Sequence, residues 1–99
     1  VYGDGVIKII FTPGHTPGHQ SVLINLPKTG HMLLTGDACY TGDHWCDRCL
    51  PGLVASASDA ADSVAKLRKI ARETNAKVVW GHDPVTWLDW NKAPMFYYD

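Results

Sequence analysis

The chain predicts an α/β fold in which four strands carry one well-formed helix. Three observations predict it. Four short runs, VIKIIF (6–11), QSVLINL (20–26), HMLLTG (31–36) and KVVWG (77–81), are rich in β-branched and large apolar residues and border Gly or Pro. One long stretch near residue 58 carries apolar residues at helical spacing. The first and fourth runs are apolar on both faces, the pattern of strands covered on both sides.

Taken in order, the first run ends at the doubled tetrapeptide TPGHTPGH (12–19). The second and third runs flank PKTG (27–30), a turn by its Pro and Gly, and so predict a hairpin. Residues 37–54 read as irregular. In the next segment, a helix, Ser58 is the expected N-cap, with Asp59 and Asp62 in the first turn where the helix dipole favours them. Ala57, Ala61, Val64, Leu67 and Ala71 mark its apolar stripe, and Lys66, Arg68, Lys69 and Arg72 fall later. PVTWLDW (84–90) predicts a short helix with Pro84 in its first turn.

Composition narrows the function. Ninety-nine residues, 45% hydrophobic and 19% charged, suit one small globular domain. A formal charge of −1 gives no electrostatic reason to expect nucleic acid or an anionic membrane as partner. No apolar run approaches the roughly 20 residues that span a bilayer. Three cysteines, Cys39, Cys46 and Cys49, lack a disulfide framework, so a reducing cytoplasm is the expected compartment. The chain begins at Val1, and a single helix covers only one face of a sheet apolar on both. Either the chain dimerises through its sheet or a second layer belongs to a larger domain, and the absent initiator Met favours the second.

The polar residues at the strand ends carry the chemistry. The first run ends at TPGH, presenting His15; the third at TGD, presenting Asp37; the fourth at WGHD, presenting His82 and Asp83. A glycine precedes each (Gly14, Gly36, Gly81), which lets the backbone turn sharply across the rim of a sheet. Each residue alone reads as ordinary turn chemistry. Three of them at the ends of apolar strands point to a metal: imidazole nitrogens and a hard carboxylate are the donors of hydrolytic sites.

In this order TPGHTPGHQS (12–21), LLTGDACY (33–40) and VVWGHD (78–83) resemble the C-terminal half of the αββα metallo-β-lactamase sandwich, a mixed sheet with one covering helix. Within that superfamily the chain resembles the quorum-quenching N-acyl homoserine lactonases, through the tyrosine of DACY, the LPGLVAS segment (50–56) and the closing GHDP…W…APMFYYD. The resemblance implies that residues 1–99 are the C-terminal half of such a domain. The N-terminal half, with its His-x-His-x-Asp-His motif, is absent and would be needed to complete fold and site. It implies His15, Asp37 and His82 as metal ligands, Asp37 bridging two divalent ions, with zinc the expected metal. Tyr40 and Asp37 are the catalytic residues, Tyr40 hydrogen-bonding the lactone carbonyl and the oxyanion formed from it. His19 orients a ligand or steadies the loop. The substrate is a small lactone, and these 99 residues alone are expected to be inactive.

Two other readings stay open on the residues: a hydrolase of this fold acting on another lactone or a thioester, and a non-catalytic half-domain that binds a partner through its open sheet face. The remaining signals are weaker. Cys46 and Cys49 form a C-x-x-C without a redox or zinc context, and Cys39 reads as a packed residue. Trp45, Trp80, Trp87 and Trp90, with Phe96, Tyr97 and Tyr98, are expected in packing, Trp45 with a lesser case for an acyl-chain pocket. His31 and His44 read as surface residues. Asp83 either contacts a ligand's second ring nitrogen or caps the segment that begins at Pro84.

Overall fold

The computed structural model describes residues 2–47, 52–92 and 98–99. Strands β1 (Ile7–Phe11), β2 (Gln20–Leu26), β3 (Gly30–Gly36) and β4 (Lys77–Trp80) lie side by side in that order. Three helices join them: α1 (Gly42–Asp47), α2 (Ala57–Thr74) and α3 (Pro84–Trp87). β2 pairs antiparallel with β1 and with β3, while β3 and β4 are parallel. A parallel step needs a long crossover, and α2 supplies it. Because β1, β3 and β4 therefore run in one direction, their C-terminal ends share one edge of the sheet.

The register places Leu23, Leu33 and Val78 in a row on one face. There Leu23, Leu33, Ala38 and Leu67 of α2 form the core, with Ile10, Trp45, Ile70, Ala71, Ala76 and Val78 packed around them. Leu33 and Leu67 are wholly buried, each stabilising the fold by roughly 1.5–3 kcal/mol. The opposite face carries the row Ile9, Val22, Leu34 and Val79. On this face Ile9 is 50% exposed and Phe11 54%.

Helix α2 begins two residues before the expected Ser58. Its N-cap is Ser56, whose hydroxyl accepts from Asp59 N–H at 3.3 Å. Both serines offer the same hydroxyl; the start is decided by Ala55 and Ser56, whose N–H groups are already bound to the carbonyl of Gly14. The buried stripe is correspondingly Ala60, Ser63, Val64 and Leu67, and Ala57 and Ala61 face solvent. Asn75 ends the helix in the left-handed conformation, φ 52°, with its N–H bonded to Ala71 O.

Helix α1 lies in the stretch expected to be irregular, so among the described residues three helices accompany the sheet rather than one or two. GDHWCD is a poor helix former, and its first turn is held from outside: Thr41 Oγ1 accepts from His44 N–H at 3.1 Å and Asp83 Oδ2 from Gly42 N–H at 2.9 Å. Trp45 packs on the core and edge-on to Trp80, and Trp87 is 59% exposed rather than packed inside. No helix among the described residues is long and apolar enough to cross a membrane. Cys49, Phe96 and Tyr97 lie outside the described residues.

Candidate metal centre

The doubled tetrapeptide forms a loop closed at its neck by Thr12 N–H donating to His19 O at 3.0 Å. Helix α2 clamps it. Ala55 and Ser56 donate to Gly14 O at 2.8 and 3.0 Å, and Ser63 Oγ donates to Pro13 O at 2.6 Å. Gly14 has φ 141°, and a Cβ there would overlap the backbone of Ala60, so only glycine permits this approach. The clamp aims His15 along the rim: its Nε2 stands 3.5 Å from Asp37 Oδ2 and its Nδ1 3.3 Å from Tyr40 Oη.

Asp37 follows the turn at Gly36, where φ is 56°. His82 reaches the same place from β4. Beyond that strand, Gly81 N–H donates to Cys39 O at 3.1 Å and His82 N–H to Tyr40 O at 2.9 Å. These bonds set the His82 and Tyr40 rings 4.6 Å apart, and His82 Nε2 lies 2.7 Å from Asp37 Oδ1. The three strand-end residues are thus brought together as expected. Each carboxylate oxygen of Asp37 faces a different imidazole, and both imidazoles present Nε2.

The chemistry of this donor set fits divalent metal. Two ligands bound to one ion at about 2.0–2.2 Å lie a little over 3 Å apart, close to the 3.5 Å of the His15–Asp37 pair. The shorter His82–Asp37 distance, 2.7 Å, is a hydrogen bond and is tighter than ligand spacing. Among the described residues no group of three or more His, Cys, Asp or Glu side chains is arranged to hold an ion by itself.

The supporting residues differ partly from expectation. His19 turns away from the rim, and its Nε2 accepts from the backbone N–H of Asp37 at 3.0 Å. His44, expected at the surface, is 7% exposed; its Nδ1 accepts from Tyr40 N–H at 3.2 Å. Burial first, and the Arg68 guanidinium second, hold this imidazole below the ordinary histidine range. The signal for His44 was its position three residues beyond Thr41, inside a turn that Thr41 caps. Asp83 takes the capping role: Oδ1 accepts from Val85 and Thr86 N–H while Oδ2 holds Gly42. These bonds, Gly42's foremost, lower its pKa. Cys39 is wholly buried, and burial pushes its thiol up to about 12, which makes it a packed residue and no nucleophile.

Comparison with known proteins identifies the family and the fold. Residues 1–82 match the family model described as Metallo-beta-lactamase superfamily. The N-acyl homoserine lactonase AttM of Azorhizobium caulinodans is 55% identical over 97 residues, covering 98% of this chain and 37% of its own. An N-acyl homoserine lactonase of Bacillus cereus is 38% identical over 77 residues. A solved N-acyl homoserine lactone hydrolase, with N-hexanoyl-L-homoserine bound at its catalytic metal centre, superposes on the whole chain with a TM-score of 0.88 at 28% identity. AidC, a dizinc quorum-quenching lactonase, shares the fold with a TM-score of 0.69 at 21% identity. The chain spans about a third of the length of these relatives.

Proposed function

The chain belongs to the metallo-β-lactamase superfamily, and on that premise we propose that the intact protein hydrolyses the lactone ring of N-acyl homoserine lactones. His15, Asp37 and His82 would hold divalent ions, zinc among those that suit imidazole and carboxylate donors, with Asp37 the carboxylate shared between the two histidines' ions. The observation that carries this reading is the placement of Asp37, one oxygen toward His15 and the other toward His82. A bridging carboxylate needs that arrangement and a turn residue does not.

When bound, such ions make water ionise near pH 7 instead of 15.7, a gain of about 12 kcal/mol. The chain's own residues do the rest. With Nε2 of His15 kept for an ion, its Nδ1 carries the ring proton and donates it to Tyr40 Oη. The phenol proton is then free to donate to the lactone carbonyl oxygen as negative charge develops there. Tyr40 and Asp37 are the catalytic residues of this chain. The open row of Ile9, Val22, Leu34 and Val79, with Phe11, packs against the remainder of the domain, which supplies the missing ligands; residues 1–99 form the C-terminal part of that domain. The free thiols of Cys39 and Cys46 support work in a reducing cytoplasm.

The test is turnover of an N-acyl homoserine lactone by the intact protein, beside a simple lactone and a thioester, with chelator and zinc re-addition. Lactone opening that chelator abolishes and zinc restores is expected, with the acyl homoserine lactone the best substrate. Preference for the thioester, or turnover indifferent to chelator, contradicts the proposal.

A further inference from the structure

The loop holds a second imidazole that touches neither His15 Nε2 nor His82, and its surroundings are fully determined. We propose that His19 is a positioning residue for Asp37, its tautomer locked by a one-way chain of hydrogen bonds through Thr12 and Ser21 to Thr35. The proposal rests on the reading of Asp37 as a bridging ligand.

The direction of every bond is forced. A backbone N–H only donates, so the 3.0 Å bond from Asp37 N requires a bare Nε2 on His19. The ring proton of the neutral imidazole then sits on Nδ1, which lies 2.9 Å from Thr12 Oγ1 and 3.2 Å from Thr12 O. At the far end Ser21 Oγ lies 3.0 Å from the carbonyl of Thr35, which only accepts, so the single Ser21 proton is spent there. The 2.9 Å contact between Thr12 Oγ1 and Ser21 Oγ must accordingly run from Thr12 to Ser21. That leaves the Thr12 oxygen as acceptor for His19 Nδ1–H. Thr12, Ser21 and Thr35 are at most 1% exposed, so water does not compete and the chain has one polarity.

The chain starts and ends on the same bend. Thr35 and Asp37 straddle Gly36, where β3 leaves the sheet with φ 56°. The imidazole lies directly under that glycine: a Cβ on Gly36 would come 3.0 Å from His19 Nε2. His19 thus fixes the backbone that carries the Asp37 carboxylate between His15 and His82. The second T-P-G-H holds the aspartate just as the first holds a ligand.

The test compares His19→Asn with His19→Gln in the intact protein. Asparagine keeps a donor near Nδ1 but offers nothing to the Asp37 N–H; glutamine reaches the Nε2 position with a carbonyl. The expected result for His19→Asn is a 10- to 100-fold fall in kcat and in zinc affinity, with KM changed less than about twofold. His19→Gln recovers most of both, although the two variants melt at similar temperatures. Nitrogen-15 spectra of the metal-free protein are expected to show an unprotonated His19 Nε2 coupled to the Asp37 amide. A proton on Nε2, or equal loss in the two variants tracking their melting temperatures, overturns the proposal. Asp37→Ala is run beside them. If it loses metal while His19→Asn matches the wild type, the positioning role alone fails. If it keeps its metal and activity, the ligand reading fails and takes this proposal with it.

Discussion

His15 and His19 close identical tetrapeptides four residues apart, and they finish in different environments. His15 lies on the rim with Nε2 toward Asp37 Oδ2, while His19 lies beneath the loop with one nitrogen on Thr12 and the other on the Asp37 backbone. The local sequence is the same in both, so the difference comes from the flanks of each copy. The first copy leaves β1 and is clamped by α2 through Pro13 and Gly14. The second re-enters the sheet at β2, where Ser21 and Thr35 supply buried polar partners. The lesson is that a repeated motif assigns residue types, and its surroundings assign the roles.

The comparison breaks first at His15. In the intact protein His15→Ala is expected to lower kcat/KM by more than about 100-fold, beyond the range for outer partners, with a melting temperature close to wild type because the ring sits at the rim. A much larger loss of folding stability would make His15 a structural residue instead of a ligand. Tyr40→Phe comes next, with kcat reduced roughly 100-fold and zinc content unchanged; unaltered turnover would remove the phenol from the chemistry.

Gly14→Ala probes the clamp instead of the ligand. The added methyl meets the Ala60 backbone at a positive φ, and a loss of roughly 1–3 kcal/mol in urea unfolding is expected. A neutral result would mean that α2 does not fix the loop. A smaller effect concerns His44, whose imidazole is depressed by burial. The unfolded chain then binds more protons just below pH 6.5, so stability is complete above that pH and falls as the pH drops, by at most about 1.4 kcal/mol per unit. His44→Gln should flatten that acid limb; an unchanged slope would assign it elsewhere. Smallest of all is thiol reactivity. With its thiol near 12 and no solvent access, Cys39 should stay unmodified by iodoacetamide at pH 8 while exposed Cys46 reacts; peptide mapping reads the difference.

Much of the fold and the site is legible in the sequence, for reasons that particular residues make plain. The four strands show because β-branched runs end at Gly or Pro, and His15, Asp37 and His82 because each follows a glycine at a strand end. Their convergence also requires that β1, β3 and β4 run in one direction: the antiparallel pairing of β2 with both neighbours aligns β1 with β3, and the α2 crossover aligns β4 with β3. The start of α2 is hidden because Ser56 and Ser58 are chemically alike, and a carbonyl more than 40 residues upstream, that of Gly14, chooses between them. Helix α1 is invisible because its stability lies in Thr41 and Asp83 rather than in GDHWCD. His44 reads as polar and external because its burial depends on that hidden helix. Short-range chemistry shows, and long-range hydrogen bonding does not.

The central claim is that Asp37 joins two metal ions. It is tested most directly by metal content per chain in the intact protein, wild type against Asp37→Ala, after exhaustive dialysis. The account predicts about two ions in the wild type and the loss of at least one in the variant. Equal metal content in both would contradict it.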